Sequence, residues 1–263
     1  MARQRLGQHF LADANWRGRI LDKLGATREE VWVEIGAGHG EMTRELARVA
    51  RRVVAIELDA QLIPALQRLA AEAANLEIVH GDVLALDFSA LVPAGEFRVY
   101  GSLPYYITSP ILHRLFAYSN RIRSVHVVIQ LEVAERIAAS PGNRDYGYLS
   151  VAAQFYACPV IDFRIPAGAF QPPPKVASAL VSLRMPGAGA ALGLRDHAGF
   201  LEFVQTCFAH KRKTLLNNLL AITSRSQAEE WLAAAGLRRD ARAEQLTLQK
   251  FAALYRFAEG PGE

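Results

Sequence analysis

The chain has 263 residues, enough for one large domain or for a large and a small one, and its 51% hydrophobic and 21% charged residues are those of an ordinary globular protein. A net charge of +4 and a pI near 9.2 permit a nucleic-acid partner without demanding one, and no apolar stretch approaches membrane-spanning length. Cys158 and Cys207 stand far apart in no metal-ligand spacing, so two thiols in a reducing compartment are expected and a metal site is not.

Residues 1–12 are basic, with Arg3 and Arg5, and lack the apolar core of a signal peptide, which predicts a cytoplasmic protein. Phe10 and Leu11 precede Asp13, a candidate helix cap, and Ile20, Leu21 and Leu24 follow at helical spacing. The tail is therefore expected to be pinned just before a helix. The organising stretch is Val31 to Gly40, Val-Trp-Val-Glu-Ile-Gly-Ala-Gly-His-Gly. A short strand breaks into glycines at 36, 38 and 40 and runs on into a helix, the arrangement of a nucleotide-type pocket at a strand's carboxyl end. Glycine lets a ligand approach the backbone closely; a plain turn is the competing reading. The G-x-G-x-G spacing is not the G-x-G-x-x-G of dinucleotide binders, which disfavours an NAD-dependent oxidoreductase.

A second strand, Arg52 to Asp59, ends in acid, with Glu57 lying 21 residues beyond Gly36. A carboxylate there can accept from both hydroxyls of a ribose, or it is a solvated strand end. A third strand, Leu76–Val79, ends at Asp82, placed to accept from the exocyclic amine of an adenine. The fourth, Phe97–Tyr100, leads into Gly-Ser-Leu-Pro-Tyr-Tyr. Pro104 holds Leu103 extended, so Ser102 and a neighbouring carbonyl could accept from the amine of a flipped base stacked on Tyr105. A proline turn with buried tyrosines is the alternative.

A fifth strand is expected at Val125–Gln130, then a helix to Ala139, a polar loop over 140–148 and a helix over 149–156. Strand-like runs at 160–165 and 178–183 complete the sheet. Between them the stiff Phe-Gln-Pro-Pro-Pro-Lys loop presents Phe170 and Lys175. Residues 186–195 read as a glycine-rich linker between a domain over 1–185 and a helical domain over 196–263. The latter carries Lys211, Arg212 and Lys213, either a solvated face or a phosphate-binding cluster.

Taken together, Gln8–Leu11, Glu34–Gly40, Ile56–Asp59, Gly81–Asp82, Ser102–Tyr105, Phe170–Val176 and Lys211–Thr214 resemble, in order, the rRNA adenine N6,N6-dimethyltransferase family, most closely its bacterial small-subunit branch. The resemblance implies an α/β, Rossmann-like, S-adenosylmethionine-dependent methyltransferase domain followed by a small all-helical, RNA-binding domain. The implied reaction is dimethylation of two adjacent adenosines in the 3′-terminal hairpin loop of 16S rRNA, within the 30S subunit or its precursor. Carried over by motif, His9, Leu11, Gly36, Gly38, Glu57, Asp82 and Ser102 would hold the cofactor. Ser102, Leu103, Pro104 and Tyr105 would position the target base, with Phe170 as a second stacking face. Lys175 and Lys211–Lys213 would meet RNA.

The family usually carries Asn at the positions of His9 and Ser102, and Asp where this chain has Ala177. A hydroxyl is a shorter acceptor than an amide oxygen, so Ser102 bears on rate and on the second methyl transfer more than on cofactor binding. A 23S rRNA methyltransferase of the macrolide-resistance type shares the motifs, and an assembly factor with weakened catalysis is the reading from another class. A monomer is expected.

Overall fold

The computed structural model describes residues 9–259. Among the described residues there are nine strands: β1 (Phe10–Leu11), β2 (Val31–Ile35), β3 (Arg52–Glu57), β4 (Leu76–His80), β5 (Phe97–Ser102), β6 (Ile122–Gln130), β7 (Cys158–Ile165), β8 (Phe170–Gln171) and β9 (Ser178–Arg184). The helices are α1 (Ala14–Leu24), α2 (Glu41–Val49), α3 (Ile63–Ala71), α4 (Phe88–Leu91), α5 (Thr108–Phe116), α6 (Leu131–Ala138), α7 (Tyr148–Tyr156), α8 (His197–Cys207), α9 (Leu215–Leu219), α10 (Arg225–Ala234) and α11 (Leu248–Glu259).

Seven strands form one sheet in the order β4-β3-β2-β5-β6-β9-β7, and β1 pairs with β8 apart from it. The first five run parallel, and β9 lies antiparallel to β6. All five residues of β2 are buried, as a central strand covered on both faces requires. At the edge, β4 buries only Leu76. The chain leaves β2 for β3 on one side and reaches β5 on the other, so the strand order reverses at β2. Open sheets part their loops at such a point and leave a crevice at the strands' carboxyl ends.

Caps set where the helices begin. Asp13 accepts from the Asn15 and Trp16 amides to start α1, and Gly25, at φ +55°, ends it. Asp196, Thr214 and Ser224 start α8, α9 and α10 the same way. One face of the sheet packs Trp32, Val53 and Tyr100 against Ile20, Leu24, Leu46 and Leu66, each large side chain contributing about 1.5–3 kcal/mol.

The chain divides into two compact units. One ends at Ala134 and resumes over Val160–Met185; the other comprises Glu135–Pro159 and the chain from Pro186 onward. Residues 135–159, expected in the first domain, thus cluster with the C-terminal helices. Their aromatic side chains explain it: Phe155 of α7 meets Phe200 of α8 at 5.1 Å between ring centroids, and Tyr146 meets Phe208 at 6.1 Å. The 186–195 stretch is built structure, with a 3-10 turn over Ala188–Ala191 and Gly189 buried. A Cβ at Gly187 would stand 2.2 Å from the Ala157 nitrogen, so glycine serves close packing on α7 there.

The first unit also holds a buried polar chain. His126 of β6 meets the hydroxyls of Ser182 (2.8 Å) and Ser124 (3.0 Å). Ser182 donates to Asp162, which pairs with Lys23 at 2.9 Å, and Arg98 joins Ser124 to Glu30. Burial, and then the nearby Arg98, push His126 down to about 4.

Candidate functional site

The crevice at β2 is a pocket built entirely from the first unit, floored by the tips of β2, β3 and β5. Its glycine loop is locked by the backbone and by one side chain. The Gly36 and Ala37 amides donate to the Ile56 carbonyl at 2.9 and 3.2 Å. Glu57, at the end of β3, accepts from the Gly38 amide through Oε2 (2.8 Å) and from the Leu58 and Asp59 amides through Oε1 (2.9 and 2.8 Å). A carboxylate has about four acceptor sites, so one remains toward the pocket that Glu57 lines. Gly38 sits at φ +58°, and a Cβ there would press 3.0 Å from the Phe10 ring; only glycine meets both conditions.

Glu34 was not singled out from the sequence, yet it is the strongest electrostatic feature of the pocket. It lies inside β2, 2% exposed, lines the cavity, and its Oε2 has no hydrogen-bond partner among the described residues. Burial, together with the Glu57 and Glu41 carboxylates, pushes its carboxyl up to about 8. An acid in the middle of Val-Trp-Val-Glu-Ile, a strand otherwise wholly apolar, was the available signal. Opposite it on β5, burial and then Glu34 hold the Tyr100 phenol far above its usual range.

The N-terminal segment roofs the pocket. Phe10 and Leu11 pair antiparallel with Gln171 and Phe170, and the Ala12 and Asp13 amides donate to the Ala169 carbonyl. Arg17 donates to the Leu11 and Ala12 carbonyls, and the His9 Nδ1 donates to the Pro172 carbonyl at 2.7 Å. Phe10 rests on His39 with centroids 4.4 Å apart. His9, Leu11 and Phe170 all line the cavity, and Phe170 is 4% exposed under the roof. Gln8 lies outside the described residues.

Across β2 from Glu57, β5 ends at Ser102. The Leu103 amide donates to Val128 of β6 at 3.0 Å, and Pro104 opens a 3-10 turn over Tyr105–Ile107. The Thr108 hydroxyl closes that turn on the Pro104 carbonyl. Ser102, Leu103 and Pro104 line the pocket, as does Tyr106; the Tyr105 side chain lies outside the described residues. On the other arm stand Leu58 and Asp82, the latter accepting from the Leu84 amide through Oδ1. A glycine loop, acids at three neighbouring strand tips and a Ser-Leu-Pro turn across the switch point form one cavity.

Residues 1–259 match the sequence profile of ribosomal RNA adenine dimethylase. The chain belongs to the ribosomal RNA adenine dimethylase family. It is 40% identical over 264 residues to ribosomal RNA small subunit methyltransferase A of Koribacter versatilis, covering 95% of this chain and 92% of that one. It is 42% identical over 257 residues to the protein of the same name from Acidobacterium capsulatum, covering 97% and 90%. Among solved structures, the 23S rRNA methyltransferase ErmE superposes with a TM-score of 0.70 at 27% identity, covering 95% and 99%. A dimethyladenosine transferase from Plasmodium falciparum shares the fold, with a TM-score of 0.77 at 22% identity over 94% and 96%.

Within this dimethylase, His9, Leu11, Gly36, Gly38, Glu57, Asp82, Ser102, Leu103, Pro104 and Phe170 all fall on one cavity. The basic residues do not. Lys175 is exposed on the proline-rich loop of the first unit and is no part of the lining. Lys211, Arg212 and Lys213 belong to the second unit, exposed in the turn between α8 and α9, with the Lys211 ammonium donating to the Arg144 carbonyl. Among the described residues no helix is long and apolar enough to cross a membrane.

Proposed function

We propose that this chain transfers methyl groups from S-adenosylmethionine to N6 of two adjacent adenosines in the 3′-terminal hairpin loop of 16S rRNA, within the small subunit or its precursor. The observation that carries the reading is Glu34: a buried carboxyl group, one oxygen of it without a hydrogen-bond partner among the described residues, lining a glycine-floored pocket. Such a group calls for a cation, and the cofactor brings a sulfonium and an ammonium. The remaining residues fit the same ligand. Glu57 has an acceptor site left for the ribose, Asp82 faces the adenine arm, and Gly36 and Gly38 let the chain lie close to it.

When bound, the cofactor supplies a methyl group already activated on sulfur, so this chain's work is positioning. His9 and Leu11 roof the site and exclude water. The Ser102 hydroxyl and a carbonyl of the Ser102–Pro104 run accept from the N6 amine. Those bonds turn its lone pair out of conjugation with the ring and toward the donor. Tyr105 stacks on the base. The helical unit meets the RNA backbone through Lys211, Arg212 and Lys213.

The test uses small subunits from a strain whose rRNA lacks the modification, incubated with the protein and S-adenosylmethionine. Mass spectrometry of the digested nucleosides should show dimethyladenosine in the 3′ hairpin. Methylation confined to 23S rRNA would overturn the substrate, and particle binding without any product would make the chain an assembly factor.

A further inference from the structure

Tyr106 is 64% exposed, the most exposed large apolar side chain among the described residues, yet it lines the pocket. Its neighbour across the mouth, Leu58, is 44% exposed. The two differ in what covers them. Leu58 follows Glu57 on β3, on the arm that also carries Asp82 beyond β4, where the cofactor's adenosine is expected. Tyr106 follows β5 on the opposite side of β2. Neighbouring strands lie about 4.8 Å apart, so a ligand laid over the β3 and β4 tips leaves the Tyr106 ring uncovered. An aromatic face left in water at the mouth of a ligand pocket is placed to stack on a flat ring that the ligand brings.

The ring is also well mounted. Tyr106 is the middle residue of the 3-10 turn over Tyr105–Ile107, whose ends are tied to the Pro104 carbonyl by the Ile107 amide (3.2 Å) and the Thr108 hydroxyl (3.2 Å). The turn stands directly on the Ser102–Pro104 run that receives the target base. A nucleotide strand that delivers one base to this run must carry the next base past the rim. Single-stranded RNA is recognised by stacking such splayed bases on aromatic side chains.

We propose that Tyr106 is the stacking platform for the nucleobase that flanks the target adenosine, a positioning residue that holds the RNA strand in register while the target base occupies the pocket. This rests on the RNA-adenine reading above. It assigns the exposed ring to the substrate strand and leaves cofactor and target base to other residues. In a substrate with two adjacent target adenosines, the flanking base is the second acceptor, so loss of the platform impairs RNA use at both positions.

The experiment uses the full chain and a hairpin RNA in which 2-aminopurine replaces one of the two adenosines. 2-Aminopurine has no 6-amino group to donate to the acceptors of the Ser102–Pro104 run, so the adenosine takes the pocket and the probe the flanking position, and its fluorescence falls when it stacks on an aromatic ring. The wild type should quench it on binding. Tyr106→Ala should lose the quench and raise KM for the all-adenosine RNA by roughly 5- to 150-fold, with kcat and cofactor affinity within twofold. Tyr106→Phe should restore both. A Tyr106→Ala variant that quenches and binds RNA like the wild type overturns the proposal, as does a wild type that leaves the probe bright. Failure of the wild type to methylate any small-subunit RNA would sink the activity itself, while the quenching comparison still decides the stacking.

Discussion

The Gly38 amide donates to Glu57 Oε2 across 2.8 Å, tying the glycine loop after β2 to the tip of β3. The acid that the ribose would meet thus also shapes the loop that the rest of the cofactor would meet. Glu57→Ala should therefore do two things at once. It removes the acceptor of the Gly38, Leu58 and Asp59 amides; the buried Gly38 amide alone costs about 1–3 kcal/mol when left unsatisfied, while the part-buried other two can turn to water. It should also weaken S-adenosylmethionine binding at least tenfold, about 1.4 kcal/mol. Thermal denaturation and calorimetric titration read the two effects. Unchanged affinity would show that the loop keeps its shape without Glu57.

Glu34 should make the ligand-free protein less stable as pH rises. Its carboxyl is raised from 4.5 to about 8, so between those values the folded state holds a proton that the unfolded state has released. Stability then falls through this window by about 1.4 kcal/mol per pH unit and levels off above it. Glu34→Gln should melt higher than the wild type at pH 8 and match it at pH 4.5, while binding S-adenosylmethionine more weakly. Parallel melting curves across that range would remove the buried charge from the account.

His126 has the opposite sign. Its imidazole is lowered from 6.5 to about 4, by burial first and then by Arg98, with Arg184 and Lys23 adding and Asp162 opposing. The unfolded chain takes up a proton as pH falls below 6.5 and the folded chain does not. Stability contributed by neutral His126 is full above 6.5 and is lost toward pH 4, again by about 1.4 kcal/mol per unit. In urea denaturation His126→Gln should be weaker than the wild type at pH 7.5, by about 1–2 kcal/mol, but flatter between pH 6.5 and 4. Equal slopes would place the acid sensitivity elsewhere.

Ser102, like His9, lines the pocket at a position where the family resemblance leads one to expect Asn. An amide oxygen reaches further than a hydroxyl, so Ser102→Asn should raise the ratio of dimethyl- to monomethyladenosine at fixed time, with cofactor affinity within twofold. Nucleoside mass spectrometry over a time course checks this. A fall in the ratio would mean that the cavity is shaped around the smaller side chain.

Much of the fold was legible because its signals are local. The central strands β2, β3 and β5 are short, largely apolar runs bounded by turn residues, and the acids Glu57 and Asp82 stand at or just past the strand ends where the periodicity stops. What the sequence hid depends on contacts distant along the chain. Nothing in residues 135–159 says that Tyr146 and Phe155 find Phe208 and Phe200. Gly187 and Gly189 carry the composition of a flexible joint, but their missing Cβ atoms make room for α7. Glu34 hid in a different way: a buried unpaired acid is so costly that a central strand is the last place to look for one, and only its place beside the glycine loop gives it a role.

The roof of the pocket has a consequence for how the protein is made. Phe10 and Leu11 leave the ribosome well ahead of the strand they pair with, Phe170–Gln171, which is synthesised about 160 residues later. A nascent chain that already displays Glu34, Glu57, Asp82 and Ser102 still lacks the strand that pins its N-terminal flap over the cleft. Competence to retain a ligand therefore arrives abruptly, once residue 171 has emerged, and a chain cut short before that point carries the chemistry without the enclosure.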